Sequence, residues 1–402
     1  MLIAFVAGNS FAQGGKSPQF ISKNGIGLVM PDSLFSINFR FRIQSRVGIA
    51  SHEDNLGNVT EADMRIRRMR LRFEGFMLNP RLTYNVQLSF TRADQDWDNS
   101  AVPLVLRDAM INYALTKHFT VGIGQGKLPG NRQRVVSSGD IHFTDRSIVN
   151  SAYTLDRDAG LFGTYRLNLG KSPYVLLKGA ITSGEGRGIA NTKEFSNTVT
   201  PNGGVAYTGR VEFLPLGEFT NKGDYFEGDL EREPKPKLSI GATYHYNDRA
   251  IRTQGQLGKA LYAARSFVGT NLDVMLKYRG WAITSEYISR KMADGQSVFT
   301  KKSATDSVYV IAGYGINTEV SYTFKNMWEI AGRYAFIQPV KSLSTVGKDG
   351  QKYEEYCLGL IKYLRKHRVK LVNELSYYKR TAITGTNPVG LVGYKFQVEL
   401  GI

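Results

Sequence analysis

The stretch Phe35-Ser36-Ile37-Asn38-Phe39-Arg40-Phe41-Arg42-Ile43-Gln44 alternates apolar and polar side chains without a break. Successive side chains of a β-strand point to opposite faces, whereas an amphipathic helix repeats about every 3.6 residues. This stretch therefore predicts a strand with one apolar and one polar face. The segments Met69–Glu74 and Leu82–Thr91 have the same period. The first part of the chain thus favours a sheet protein over a helical one.

The same alternation continues to the C-terminus and predicts an all-β chain. Further strands are expected near 105–115, 119–127, 158–169, 173–183, 205–214, 238–247, 268–279, 281–290, 307–324, 328–336, 353–364, 369–380 and 390–402. With the first segments the total is about 16, an even number, as in bacterial single-chain outer-membrane barrels. The stretch 307–324 has room for two strands. We predict one, because its apolar side chains keep one parity from Val308 to Phe324.

Short and long connections alternate between these strands. Turns such as Asn79-Pro80-Arg81 and Lys325-Asn326-Met327 alternate with links such as 128–157 and 184–204. Short turns at one rim and long loops at the other are typical of outer-membrane barrels, which satisfy every backbone hydrogen bond inside lipid. A soluble sandwich would instead have to protect its edge strands. The link 215–237 is long yet falls on the short-turn side, which predicts a periplasmic excursion or else a misassigned pair of strands.

Residues 34–402 are therefore expected to form a transmembrane antiparallel β-barrel with short periplasmic turns and long extracellular loops. Ahead of it, an apolar run and the small-x-small motif Ser10-Phe11-Ala12 predict a truncated signal peptide over residues 1–12. The alternative is an apolar N-terminus without that role. Residues 13–33 are then expected to be an N-terminal periplasmic segment.

Composition excludes several other classes of protein. The 402 residues include 52 Lys and Arg against 35 Asp and Glu, a formal net charge of +17, and a single Cys. No apolar run of roughly 20 residues is present, which excludes a polytopic helical membrane protein. One Cys excludes an intramolecular disulfide framework.

Cationic residues concentrate on the polar parity of the first two predicted strands. If the apolar parity faces lipid, the lumen receives a column of arginines with Glu74 as the one acid among them: Arg40, Arg42, Arg46, Arg68, Arg70 and Arg72. Guanidinium groups bind oxyanions through paired hydrogen bonds and stay charged, so the column predicts anion binding at the pore wall. The alternative is a porin of any selectivity whose arginines face an acidic loop. Arg65 and Arg67 fall on the lipid parity, which places them above the apolar band unless a bulge shifts the register.

Several short stretches resemble the phosphate-selective porin O/P family of outer-membrane channels. They are Arg65–Gly75, Val121–Pro129, Phe143–Arg146, Asp156–Gly160 and Glu329–Tyr334. The resemblance implies a barrel of about 16 strands, commonly trimeric, whose third long loop folds inward and narrows the pore. Here that loop is 128–157, and its candidate constriction residues stand beside aspartates of opposite charge. They are Arg132, Arg134, Arg146 and Arg157, beside Asp140, Asp145, Asp156 and Asp158.

Other chemistries find little support in the sequence. The histidines are scattered, with no pair at metal-ligand spacing, and are expected in loops or turns: His52, His118, His142, His245 and His367. We therefore predict neither a metal nor a cofactor. The chain has no nucleophile elbow and no phosphate-cradling loop, so it is not expected to be an enzyme. It has no recognised nucleic-acid-binding module either.

These observations predict a porin in the outer membrane of a Gram-negative bacterium that lets small, phosphate-like anions diffuse passively. Outer-membrane lipid and lipopolysaccharide would surround it, and a homotrimer is expected. The alternative is a structural or accessory barrel with a plugged lumen that scaffolds a surface or periplasmic complex. In that case 215–237 would hold the periplasmic partner.

Overall fold

A ring of antiparallel strands dominates the computed structural model of the chain. The structure describes residues 19–21, 25–30, 34–94, 104–187, 203–301, 303, 306–382 and 388–402. The expected signal peptide over residues 1–12 lies outside these ranges. Within them, no helix is long and apolar enough to cross a membrane.

Sixteen strands make up the ring, and each pairs with its neighbours in chain order. They are β3 (Ser36–His52), β4 (Glu61–Met77), β5 (Asn79–Ser89), β6 (Leu106–Ala114), β7 (Phe119–Lys127), β8 (Arg157–Asn168), β9 (Tyr174–Thr182), β10 (Ala206–Leu214), β11 (Lys237–Arg252), β12 (Ala260–Tyr278), β13 (Trp281–Met292), β16 (Gly313–Thr323), β17 (Trp328–Pro339), β18 (Gln351–Arg365), β19 (Val369–Ala382) and β20 (Val389–Gly401). The last strand pairs with the first, with Phe396 opposite Val47, and closes the barrel. The predicted fold class and strand number are thereby confirmed.

Additional short elements lie outside the ring of strands. Strands β1 (Gln19–Ile21) and β2 (Ile26–Val29) form a hairpin, and β2 pairs with the start of β3. Strands β14 (Phe299–Lys301) and β15 (Ser307–Tyr309) form a separate two-stranded sheet in the loop between β13 and β16. Helices α1 (Arg132–Val135) and α2 (Ile148–Tyr153) both lie in the loop between β7 and β8.

The connections divide between the two rims as the sequence predicts. One rim has short turns, such as residues 279–280 between β12 and β13, and the other has the longer loops. The long 215–236 link joins β10 to β11 at the short-turn rim, so it is a genuine connection and not a misassigned pair of strands. Large apolar side chains remain exposed on the outer face, for example Ile123, Leu161 and Leu358, while polar side chains fill the interior. This distribution is that of a barrel in lipid with a polar lumen.

The single strand predicted over 307–324 is wrong. Its first part is β15, which turns back to pair with β14, and the barrel strand β16 begins only at Gly313. Gly313 has a φ of 146°, a conformation that L side chains rarely adopt, and this marks the break. The apolar parity continues across the break because Val310 packs in a cluster with Leu261 and Phe267.

A β-bulge in β4 explains the mixed parity of its arginines. Gln44 of β3 pairs with Arg68, but the next residue, Ser45, pairs with Ile66. Arg67 is therefore the extra residue, and the strand shifts its faces at this point. Beyond the bulge Ile66 is exposed at the outer surface, whereas Arg67 reaches a lumenal partner.

Candidate functional site

The loop between β7 and β8, residues 128–156, folds into the barrel, and we call it the inner loop. Leu128, Val136, Phe143 and Val149 are completely buried there. Because this loop has only two short helices, many of its backbone N–H and C=O groups lack partners within a helix or sheet. The chemistry of the lumen therefore depends on which side chains form hydrogen bonds with these backbone groups.

Carboxylates on the opposite wall accept the amides of the inner loop. The bonds run from Gln133 N to Glu286 (2.6 Å), from Thr144 N to Glu374 (2.8 Å) and from Ile148 N to Glu355 (2.9 Å). All three carboxylates are buried, on β13, β19 and β18 respectively. A buried amide left unpaired costs roughly 1–3 kcal/mol, so these acids hold the loop across the barrel. The sequence did not predict this role, although strand alternation places Glu286 and Glu374 on the lumenal face.

Arg132, a candidate constriction residue, holds the same loop and does not face open lumen. Its side chain is fully buried and donates to Asp273 at 3.0 Å and to Ser239 at 2.7 Å. Asp273 also accepts from Arg210 at 2.6 Å. Arg132 therefore ties α1 to β11 and β12 as part of a buried ion-pair network.

Asp145, near the middle of the inner loop, meets the arginines of β3 and β4, the two strands that we call the first wall. It accepts from Arg67 at 3.0 Å, from Arg68 at 2.8 Å and from Arg46. The bulge lets the successive residues Arg67 and Arg68 both reach this one carboxylate. Burial alone would raise the pKa of Asp145, but the charges of Arg67, Arg68 and Arg46 hold it well below its usual range.

The remaining arginines of the predicted column also have acidic partners. The pairs are Arg40–Glu74 (2.7 Å), Arg72–Glu74 (2.7 Å), Arg70–Asp94 (2.6 Å) and Arg42–Glu399 (3.7 Å). All six arginines lie on the lumenal side, and Arg40 stands opposite Arg72 and Arg42 opposite Arg70 across the sheet. The structure thus places the six arginines on one face of β3 and β4, where carboxylates largely match them. Most of these carboxylates lie in loops or in β20, and the alternation within β3 and β4 does not predict that they reach the arginines.

Four lumenal cations differ from that column because they are held by backbone carbonyls. Lys127 donates to the carbonyls of residues 135 and 136, and Arg146 to those of residues 133 and 136. The other two are Lys277, which donates to the carbonyls of residues 223, 226 and 228, and Arg290, which donates to those of residues 152, 154, 254 and 311. Among the described residues none of the four has a carboxylate within ion-pair distance. We call them the carbonyl-bound cations.

The other two candidate constriction residues, Arg134 and Arg157, lie near Lys127 and Arg146 and are paired with acids. Arg134 contacts Asp156, and Arg157 donates to Asp108 at 2.7 Å. Burial, and after it the nearby charge of Arg134, lowers the pKa of Arg146.

The 215–236 link also enters the barrel, from the short-turn rim. Its Glu227 N donates to the carbonyl of Asp140 at 2.8 Å, so the link and the inner loop meet inside. Beside this junction lies a cavity of about 1010 Å³, lined by Arg40 and Arg72 from the first wall and by residues of the link. Nine cationic and five acidic side chains line it, so its field is net positive.

His142 of the inner loop lies at the same junction, among carboxylates. Its Nε2 is 3.1 Å from Glu319 and 3.5 Å from Glu227, and its Nδ1 is 3.4 Å from Glu329. Although burial alone would lower the pKa of His142, the charges of Glu227 and Glu329 raise it to about 10. The spacing of histidines in the sequence predicted no such cluster, because its members come from four separate elements. His245, expected in a loop or turn, lies buried in β11.

Comparisons with known proteins agree with this architecture. The family model described as phosphate-selective porin O and P matches residues 37–392. The barrel is similar to the anion-selective porin from Comamonas acidovorans, with a TM-score of 0.52 at 10% identity over 92% of this chain and 100% of that one. It is similar to the outer membrane channel DcaP of Acinetobacter baumannii, with a TM-score of 0.52 at 10% identity over 91% and 97%. No curated protein matches the chain in sequence.

Proposed function

Because the chain belongs to the phosphate-selective porin O and P family, and is thus a porin channel of the Gram-negative outer membrane, we propose that it conducts small anions in preference to cations. The preferred anions are small oxyanions of the phosphate class, which guanidinium and ammonium groups bind through charge-assisted hydrogen bonds. The anion selectivity named for the structurally similar Comamonas porin supports the proposal.

The carbonyl-bound cations carry this proposal. A carbonyl dipole solvates an ammonium or guanidinium group without cancelling its charge, whereas a carboxylate neutralises it. Lys127 and Arg146 are only half-buried and lie next to Arg134, so they offer an anion a site with unspent charge. Conduction requires several weak sites in succession, so that an ion both enters and leaves. The net-positive cavity at the short-turn rim supplies a second such site.

Reversal potentials in planar bilayers test the proposal. In a KCl gradient the reversal potential of the unmodified channel is expected to have the sign that preferential anion permeation gives. Replacing KCl by potassium phosphate should preserve that sign. Lys127→Gln and Arg146→Gln should each lower the anion-to-cation permeability ratio, and the double variant should lower it further. Arg265→Gln is the matched control, because Arg265 is also half-buried and also donates to carbonyls, those of Ser297 and Phe299, but lies in β12 near the rim and away from the inner loop. Cation selectivity of the unmodified channel would refute the proposal.

An accessory barrel with a closed lumen is the second candidate, and one observation favours it. The inner loop and the 215–236 link meet inside the barrel through the bond between Glu227 N and the carbonyl of Asp140. A barrel closed in this way would show no conductance and would co-purify with a stoichiometric partner. Single-channel recordings therefore separate the two candidates directly.

We propose that the chain assembles as a homotrimer, as the family resemblance implies. The outer surface offers a shallow glycine-rich groove between apolar side chains, lined by Gly163, Gly179, Gly209, Leu161, Ile181 and Tyr244. Lipid and lipopolysaccharide would cover the rest of the apolar outer face. Light scattering of the detergent-solubilised protein tests the subunit number, and a monomer would contradict it.

A further inference from the structure

We propose that His142, Glu227 and Glu319 bind a divalent transition-metal ion, with Zn²⁺ as the best-fitting representative, at the junction of the inner loop and the 215–236 link. One imidazole nitrogen and two carboxylate oxygens are ligands that Zn²⁺ takes readily. The three ligand atoms all lie within 4.8 Å of one another.

The distances fit a tetrahedral site. Bonds of about 2.0–2.1 Å to Zn²⁺ place neighbouring tetrahedral ligand atoms about 3.3 Å apart. From His142 Nε2, the oxygens of Glu319 and Glu227 lie at 3.1 Å and 3.5 Å. The other oxygen of Glu319 already accepts from Gln133 at 2.7 Å and from Arg333 at 2.7 Å, which fixes that carboxylate in place.

The surroundings of His142 contain the further partner that metal-bound histidines have. Such a histidine usually donates its other ring N–H to a carboxylate, which orients the ring. Here Nδ1 faces Glu329 at 3.4 Å. Both atoms are buried, and neither has another hydrogen-bond partner among the described residues. This arrangement leaves Nε2 aimed between Glu227 and Glu319.

Charge also favours a cation at this point. The carboxylates of Glu227, Glu319 and Glu329 are all buried, and their cationic neighbours are Arg333, which contacts Glu319, and the ring of His142 when it is protonated. A divalent ion would displace the proton from Nε2 of His142 and bring one more positive charge than that proton. Buried carboxylates without matching positive charge are costly, and a divalent ion would supply that charge. The ion would join the inner loop, the link and β16, three elements that are distant in sequence.

Zinc titration of the whole, folded barrel in detergent tests the site. After chelator treatment and gel filtration, calorimetry with ZnCl₂ should show a single tight site per chain, and X-ray absorption should show one imidazole nitrogen among oxygen ligands at about 2.0–2.1 Å. His142→Ala should abolish the site, and Glu329→Gln should weaken it by about 10–100-fold. Glu227→Gln, in the link, gives an independent loss if the His142 variant does not fold.

His245→Gln is the matched control, because His245 is equally buried but its partner is the hydroxyl of Thr208 at 2.9 Å. It should bind Zn²⁺ like the unmodified protein. The proposal is overturned if the unmodified barrel takes up no Zn²⁺, or if folded Glu227→Gln and His142→Ala bind it unchanged. Those outcomes would identify the cluster as a protonated histidine caged by carboxylates. Neither outcome bears on anion preference, which bilayer recordings measure separately.

Discussion

Replacing Asp145 by Asn is expected to free the middle of the inner loop from the arginine wall. The substitution keeps the size of the side chain but removes the charge that Arg46, Arg67 and Arg68 share. Three guanidinium groups would then face one another without their common anion. The loop should open more often, and the lumen should gain one positive charge.

The magnitude follows from the burial of the network. Removing one partner of a buried ion pair costs about 3–5 kcal/mol, because the other charges stay buried. The side chain of Asp145 is 29% exposed while those of Arg46 and Arg68 are nearly inaccessible, so the lower end of that range applies. A cost of about 3 kcal/mol raises the equilibrium constant for local opening by roughly 150-fold.

Amide hydrogen exchange of the reconstituted barrel measures this opening. Peptides covering residues 140–150 should exchange about two orders of magnitude faster in Asp145→Asn, because exchange rates follow the local opening equilibrium. Peptides from β16 and β17 should be unaffected. Asp54→Asn is the control, since Asp54 is exposed in the β3–β4 loop and has no ion pair among the described residues. Unchanged exchange in the 140–150 peptides would show that the three arginines do not hold the loop.

Three further predictions concern other parts of the barrel. The pKa of Asp145 is lowered when the inner loop is in place, so its charge stabilises the loop fully above the open-state pKa of about 3.9, and this stabilisation is lost as the pH falls below that value. In exchange measurements, protection of residues 140–150 should therefore be constant from about pH 5 to 8 and decline below about pH 4. Glu74→Gln leaves Arg40 and Arg72 without their shared carboxylate, so the anion-to-cation permeability ratio should rise in bilayer recordings. Gly124→Ala should lower the yield of folded barrel in a heat-modifiability gel assay, because Gly124 has a φ of 131° and an added Cβ would lie 2.1 Å from the carbonyl of Ala109.

Strand parity predicted the fold because a barrel in lipid imposes one local rule on every strand. Each residue of the Phe35–Gln44 stretch had to face either lipid or lumen, and the alternation records that choice directly. The rule failed at 307–324, where apolar residues serve a rim hairpin instead of the lipid face. At Arg67 the alternation left two interpretations open, and the structure shows the β-bulge, which shifts the register by one residue.

The partners of the arginines could not be predicted in the same way. Parity states which side a residue faces, but it does not state what the loops bring to that side. Asp145 lies about 80 residues beyond Arg67 along the chain, and Glu399, the partner of Arg42, comes from the last strand. Parity places only Glu74 beside the column and leaves open whether an acidic loop faces the arginines. In the structure Asp94 and Asp145, both outside the barrel strands, do so. The same reasoning explains why the surroundings of His142 escaped notice.

The partners of the charged lumenal side chains determine where the excess of positive charge lies. On β3 and β4 carboxylates neutralise the arginines. On β13, β18 and β19 the acids Glu286, Glu355 and Glu374 accept amides of the inner loop, and two of these acids also pair with cations, Glu355 with Arg333 at 3.4 Å and Glu374 with Lys395 at 3.0 Å. A cation bound to a carbonyl keeps its positive charge, because the carbonyl is a neutral acceptor. The unmatched charge beside the inner loop is therefore positive and lies at Lys127 and Arg146, neither of which has a carboxylate within ion-pair distance among the described residues. Under the proposed function, an anion in the lumen is drawn towards these two cations.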